Sequence, residues 1–166
     1  QEMLARNAKS LELTLRASRR DGCALVNPLT QSPDQLASIK TQLQPLVGLL
    51  LTNARRMEFE GKLDEALGMY IAAWRVGMHV AQNGPPSSWL QGSELQRFVL
   101  RWLPDWMTHP KQTPLRLMQM RGQLIGAITE FPRMAAAMEV AYHASRYYAD
   151  KGWVWTADYS KAHPEA

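Results

Sequence analysis

The groups in this sequence that could take part in chemistry are one cysteine, Cys23, and four histidines. Arg19 and Arg20 stand shortly before Cys23, and guanidinium groups near a thiol favour its nucleophilic thiolate form. His79 could act as the general base for this nucleophile if the fold brought the two side chains together. A lone cysteine is more often a small buried apolar residue, and we favour that interpretation.

The histidines and one nearby carboxylate are the candidate metal ligands. The histidines are His79, His109, His143 and His163. No two of them stand three or four positions apart, the spacing that places two ligands on one helix face. Glu139 and His143 have that spacing, but two ligands hold a metal weakly, so we interpret them as a surface carboxylate–imidazole pair. The common motifs of hydrolases, phosphate loops, dinucleotide-binding folds and zinc proteases are absent from the sequence. We therefore predict no catalytic residue, no metal site and no cofactor.

An aromatic stripe is the candidate binding feature. Phe98, Trp102 and Trp106 recur every four residues, which places them on one face of a helix. Such a stripe could form a groove for a partner helix, a peptide or a sugar ring, and it is also typical of the core side of a helix. We take the three residues as candidate partner-binding side chains and favour the core interpretation.

Four methionines are interpreted as core filler rather than an adaptable surface. They are Met118, Met120, Met134 and Met138.

The elements that position these residues are predicted to be helices throughout the first half of the chain. Apolar residues at three- and four-residue steps predict a helix over 2–20, followed by a loop over 22–32. Ser32 with Gln35 predicts a capping box that starts the next helix. Pro45 lacks an amide proton, so we expect it to separate a short helix to Gln42 from a second helix over 45–60.

The second half of the chain carries equally clear helix boundaries. The clearest helix covers 62–82, and Ser87 or Ser88 is predicted to cap the next one, which ends or kinks near Pro104. Thr113 and Pro114 predict the start of a helix to about Ile128, and a last helix runs from Pro132 to Asp150. No period-two pattern appears, so the fold class is all-α, with about six main helices stacked as antiparallel hairpins. We predict a single domain over 1–152 and a partly docked tail over 153–166.

One helical hairpin carries a specific pattern. Glycine, apolar, alanine, aromatic and alanine residues occupy the positions of a tetratricopeptide hairpin: Gly61, Leu63, Ala66, Tyr70 and Ala73. The glycine permits a tight turn, the small residues let two helices approach, and the aromatic ring fills the space between them. A second partial match is interrupted by a proline, so we predict one such hairpin in an irregular stack rather than a regular array.

The composition excludes several classes of protein. The chain has 166 residues, 46% hydrophobic and 20% charged, which excludes a disordered tail, a fibre and a highly charged coiled coil. Its longest apolar run, 46–51, is far short of the ~20 residues that cross a bilayer. A net charge of +4 without a dense basic run does not favour a nucleic-acid binder. One cysteine cannot form an internal disulfide.

Three segments between about residues 10 and 125 resemble a family of helical bacterial proteins common in planctomycetes. The shared features are an arginine-rich helix end before a cysteine and proline loop, a helix leading to a histidine, and a tryptophan helix before a His-Pro-x-Gln-Thr-Pro cap. The residues that carry the resemblance are Arg19, Arg20, Cys23 and Pro28; Gly61, Asp64, Ala66 and His79; and Trp106, His109, Pro110, Gln112, Thr113 and Pro114.

The resemblance implies a helical fold and leaves the activity open, because the family has no assigned activity. Members often carry an N-terminal membrane helix with the helical part outside the cytoplasm, which implies a possible anchor upstream and an extracytoplasmic location. Gln1 and the polar residues after it do not read as a signal peptide, so we interpret the chain as part of a longer protein.

Our functional expectation is a non-catalytic helical scaffold that binds a protein or peptide partner. The first alternative is an enzyme with a pocket between helical hairpins that uses Cys23 or histidine and glutamate groups. The second is weak nucleic-acid binding through basic helix faces.

Overall fold

A computed structural model describes residues 2–20 and 33–150 of the chain. These residues form eight helices and no strand, and six of the helices have eleven residues or more, which confirms the all-α prediction. The helices are α1 (Glu2–Arg6), α2 (Ala8–Ser18), α3 (Pro33–Phe59), α4 (Leu63–Ala81), α5 (Pro86–Leu100), α6 (Leu103–Met107), α7 (Pro114–Thr129) and α8 (Met134–Asp150). Cys23, the predicted cap at Ser32, the loop 22–32 and the tail 153–166 lie outside the described residues.

Helix α4 is the centre of the molecule. Fourteen of its nineteen residues are buried, as expected for a helix that has neighbours on every side. It packs against α3 and α5, while α2 and α7 contact its remaining surface. Helix α8 instead packs against α5, so the last two long helices dock on different helices of the core.

The turn between α3 and α4 has the conformation that the sequence predicts. Gly61 has a φ of +75°, a left-handed conformation that side chains other than glycine rarely adopt. The amide of Gly61 donates to the carbonyl of Glu58 and the amide of Lys62 to that of Met57, each at 2.8 Å. These two bonds form a Schellman motif that ends α3. Leu63, the next residue along, begins α4 and is buried.

The packing of this hairpin follows from small and aromatic side chains. Ala66 and Ala73 are fully buried and Tyr70 nearly so, between α4 and its neighbours. The predicted α3–α4 hairpin is therefore present. A tetratricopeptide-like arrangement of the whole stack stays a prediction.

Pro45 does not interrupt α3, so the prediction of two helices there is wrong. The helix runs through it from Pro33 to Phe59. Ile39 before the proline and Val47 after it are both buried in the core, and this packing holds the two halves on one helical path. Pro45 itself is exposed, so water can bond the carbonyl that the missing amide leaves free.

Three other predicted boundaries differ from the structure. The helix over 2–20 is divided at Asn7, whose side chain donates to the carbonyl of Met3 at 2.9 Å. Helix α5 begins after Pro85, and neither predicted serine caps it: the hydroxyl of Ser88 is buried without a hydrogen-bond partner. Pro104 lies in the first turn of α6 rather than at the end of a longer helix.

The cap predicted at Thr113 is confirmed. Its hydroxyl accepts a hydrogen bond from the backbone amide of Arg116 at 3.3 Å, and Pro114 follows at the first helical position.

Candidate interaction surface

The three residues of the predicted aromatic stripe do not share one helix. Phe98 lies on α5, Trp102 lies between α5 and α6, and Trp106 lies on α6. Trp106 is 0% exposed, and its indole Nε1 donates to the carbonyl of Leu63 at 2.9 Å. It therefore anchors α6 to the start of α4 and is not part of an accessible surface.

Phe98 and Trp102 remain together. Their rings meet edge to face, with centroids 6.3 Å apart and planes at 80°. Both are half-buried against the core, which leaves only part of each ring to a partner. Phe98 also lines a cleft of about 350 Å³ with Arg97 and Arg101.

A buried carboxylate that sequence reasoning missed connects three helices. Glu58 at the end of α3 accepts a hydrogen bond from the Tyr70 hydroxyl at 2.5 Å and one from Arg55 Nη1 at 2.6 Å. Arg55 Nη2 lies 3.0 Å from a carboxylate oxygen of Asp105 on α6. Burial, with the neighbouring carboxylate of Glu58, raises the pKa of Tyr70 well above its usual range. Each of these polar groups has a partner, so the cluster holds α3, α4 and α6 together.

The signal for this cluster in the sequence is weak. Glu58 stands between Met57 and Phe59 on a helix, where a glutamate is usually solvent-exposed. Only the hairpin geometry brings it opposite Tyr70, twelve positions later.

His79 has a structural role in the described residues. It is buried on α4, with Nδ1 3.3 Å from the Gln82 side-chain oxygen and Nε2 3.4 Å from the Ser18 carbonyl. The ring thus connects α4 to the end of α2. Cys23 lies outside the described residues, so a pairing of His79 with Cys23 stays an untested alternative.

The other candidate ligands are dispersed. The ring of His143 meets that of Tyr142 edge to face at 5.5 Å, and no ion pair between His143 and Glu139 is found. Among residues 2–20 and 33–150, no group of three or more histidine, cysteine, aspartate or glutamate side chains is placed to hold a metal. In the same residues every helix is too short or too polar to span a bilayer.

The most unusual feature of the surface is a pair of exposed apolar stripes, one on α7 and one on α8, and we call the two stripes together the C-terminal apolar face. It consists of seven of the exposed apolar side chains of these two helices: Leu115, Met118, Ile125, Ile128, Met134, Met138 and Tyr142. Met118 is 69% exposed and Met138 58%, whereas Met120 is only 7% exposed. The interpretation of the methionines as core filler is confirmed for Met120 and wrong for Met118, Met134 and Met138.

Met118 and Met120 differ in exposure because α7 packs against the core on one side only. Helix α7 meets the core through Leu117, Met120 and Leu124, and only Met120 and Ala127 on this helix are buried. Each residue turns by about 100° along a helix, so Met118 lies beside this contact and not within it. The side chains at these positions are apolar, but no described element covers them.

Two arginines belong to this face. Arg121 stands three residues after Met118 and four before Ile125, which places it within the α7 stripe. Arg146 stands one turn after Tyr142, with its guanidinium carbon 6.0 Å from the centre of that ring. Neither arginine forms an ion pair with a carboxylate in the described part of the chain. Each stripe therefore carries one arginine beside its apolar side chains, and the exposed Glu139 adds one carboxylate on α8.

Comparison with models of protein families, with curated proteins and with solved structures found no match to this chain. A functional assignment therefore rests on the geometry of the surface itself.

Proposed function

We propose that this protein is a non-catalytic helical scaffold, and that its C-terminal apolar face binds an amphipathic helix of a partner protein. The observation that carries the proposal is the exposure of seven large apolar side chains along α7 and α8. Exposed apolar stripes of this kind are typical of interaction surfaces and binding grooves. A single tetratricopeptide-like hairpin, α3–α4, supports the same class, because stacked helical hairpins commonly present such surfaces.

The shape and composition of the face favour a helix as its occupant. The stripe on α7 spans from Leu115 to Ile128, a length of about 20 Å at 1.5 Å per residue. That length matches the anchors of a partner helix at steps of three, four and seven residues. Methionine side chains are flexible and polarizable, so Met118, Met134 and Met138 can adapt to the contour of an apolar helix face.

Charge favours a partner over a second copy of this chain. Arg121 and Arg146 accompany the apolar side chains without a described carboxylate partner. Two copies meeting through this face would bring these like charges toward one another, which disfavours association. A partner helix with acidic residues flanking its apolar stripe instead neutralises them.

The test uses a synthetic helical peptide of about 18 residues, long enough to cover the face. The peptide carries leucines at positions i, i+3, i+4 and i+7, glutamates beside them and a fluorescent label. Fluorescence anisotropy with the whole protein is expected to show saturable binding. The double variant Met118→Ser/Ile125→Ser is expected to bind about tenfold more weakly or worse, because central apolar anchors carry most of the energy of an interface.

The matched control is Leu13→Ser on α2. Leu13 is 51% exposed and Ile125 50%, so Leu13→Ser matches the single variant Ile125→Ser, which removes similar apolar surface in a different place. Leu13→Ser is expected to leave peptide affinity unchanged. An equal loss in both variants would contradict the assignment of the site.

The same protein is used to test the charge preference of the face and its binding to a second copy or to a membrane. Arg121→Glu is expected to weaken binding of the glutamate peptide and to strengthen binding of a lysine version. If the wild type forms dimers and the double variant is monomeric, the face binds a second copy of the chain. Binding to phosphatidylserine vesicles, lost in the double variant while the peptide does not bind, would show a membrane surface. Either result would overturn the proposal.

The two alternatives from the sequence have their own tests. An enzyme that uses Cys23 predicts reaction of the folded protein with a thiol reagent at neutral pH much faster than free cysteine. Nucleic-acid binding through the basic helix faces predicts retention on DNA or RNA that falls steeply with salt. An ordinary thiol rate and no retention at low salt would remove both.

A further inference from the structure

A basic cleft opens between the end of α2, the middle of α4 and the end of α7. It has two adjoining parts of about 320 and 380 Å³, which share the side chains of Ser18, Arg19, Arg75 and Glu130. Arg20 lines the smaller part. Volumes of this size are typical of small-molecule sites.

The arginines of this cleft differ from those that join helices of the core through ion pairs. Arg55 and Arg116 each form an ion pair with a carboxylate. Arg19, Arg20 and Arg75 form none with any carboxylate in the described ranges, although Glu130 lines the same cleft.

Of the three arginines in the cleft, Arg75 gives the strongest argument for a bound anion, because it is half-buried on the central helix. Withdrawing a guanidinium from water without a counter-charge is unfavourable. A bound anion would supply that charge, and the planar fork of arginine matches the oxygens of carboxylates and phosphates.

Small residues leave the space into which an anion fits. Gly68 and Ala72 on α4 face Gly126 and Ala127 on α7 across the larger part of the cleft. Nothing lies within 4 Å of a side-chain carbon built on Gly68 or on Gly126. This portion of the cleft is thus open and apolar, although the lining of the cleft as a whole is mainly polar.

We propose that this cleft binds a phosphate monoester that carries a small apolar group. The three arginines and Glu130 give a local charge of +2. A phosphate monoester carries about −1.5 to −2 at neutral pH, which matches this charge better than a carboxylate does. Arg19 and Arg75 bind the phosphate oxygens, and the apolar group lies over Gly68 and Gly126.

The test is isothermal titration calorimetry of the whole protein with phenyl phosphate, inorganic phosphate and benzoate. Phenyl phosphate is expected to bind most tightly, because it alone combines a dianion with an apolar ring. Arg75→Gln is expected to weaken it by about tenfold or more, since charge-assisted hydrogen bonds are lost. Glu130→Gln is expected to strengthen it, because a like charge is removed.

The controls separate a specific site from general attraction to a basic protein. Arg101→Gln removes an exposed arginine after α5, outside the cleft, and is expected to leave the affinity unchanged. Arg19→Gln, at an exposed position, repeats the Arg75 test without altering a half-buried group, and it is expected to weaken binding in the same direction.

Three results would overturn the proposal. They are the absence of saturable binding by phenyl phosphate, an equal loss in Arg101→Gln and Arg75→Gln, and tighter binding of benzoate than of phenyl phosphate. Binding of a single-stranded oligonucleotide that depends equally on Arg101 and Arg75, without phenyl phosphate binding, would instead indicate a nucleic-acid surface.

Discussion

Helices α4 and α7 are similar in length and both rich in apolar residues, yet their surroundings differ. Helix α4 buries fourteen of nineteen residues, whereas on α7 only Met120 and Ala127 are buried among sixteen. The difference lies in their neighbours, since α4 is surrounded and α7 has the core on one side only. Apolar residues on α4 therefore stabilise the fold, and the extra apolar residues on α7 are available to a partner.

The largest effect is expected at Trp106, which lies on α6 and is hydrogen-bonded to the start of α4. Trp106→Ala removes a fully buried ring and its hydrogen bond to Leu63, and should lower the free energy of unfolding by about 3–5 kcal/mol. Met118→Ala on α7 should change it by less than about 0.5 kcal/mol, as expected for an exposed site. Urea denaturation of both variants measures this, and similar losses would contradict the comparison.

Glycine substitutions should have opposite signs in the two regions. A side-chain carbon on Gly92 of α5 would overlap the backbone of Gly77 and Ala81 on α4. Gly92→Ala is expected to destabilise the protein by about 1–3 kcal/mol through overpacking.

Gly122 on α7 is the matched control, because it has nothing within 4 Å. Gly122→Ala should raise stability by up to about 1 kcal/mol, since alanine is the better helix former. Thermal unfolding measures whether each variant is more or less stable than the wild type. Stabilisation by Gly92→Ala would exclude the close crossing of α4 and α5.

A smaller effect is expected at the buried carboxylate. Tyr70→Phe removes one donor from Glu58, which keeps its bond to Arg55, and should cost about 1–2 kcal/mol. Tyr142→Phe on α8 removes an exposed hydroxyl and should be neutral. Equal urea midpoints for the two variants would show that the cluster does not stabilise the hairpin.

The smallest effect concerns the contact between the two compared helices. Arg116 on α7 forms two hydrogen bonds to Asp64 on α4, at 2.6 and 3.2 Å, and lowers the pKa of that carboxyl. A lowered folded pKa contributes stability above the ordinary aspartate value of about 3.9, and the contribution disappears as the pH falls through the folded value.

The variant Asp64→Asn tests this contribution. The wild type should be slightly more stable than the variant near neutral pH, and the difference should shrink below about pH 4. Because Asp64 is largely exposed, the effect is screened and small. A difference independent of pH would exclude the ion pair as its source.

The sequence predicts the elements well where a local rule decides them. Gly61 ends α3 and Thr113 caps α7 because turn and cap chemistry involve only neighbouring residues. The prediction fails at Pro45 because packing on both sides of the proline outweighs a local break.

The surface residues could not be predicted because exposure depends on neighbours. Met118 and Met120 have the same side chain, and only the position of α4 makes one buried and the other exposed. Likewise, Trp106 continues an aromatic stripe in sequence, but the end of α5 at Leu100 places it on another helix. Glu58 needed the fold of the hairpin before its partner Tyr70 was evident.

Methionine methyl NMR during titration with the acidic amphipathic peptide tests the central claim most directly. If the C-terminal apolar face binds the helix, the methyl signals of Met118, Met134 and Met138 shift with added peptide, while those of the buried Met78 and Met120 stay in place. Binding of the peptide that leaves the three exposed methionines unshifted would contradict the account.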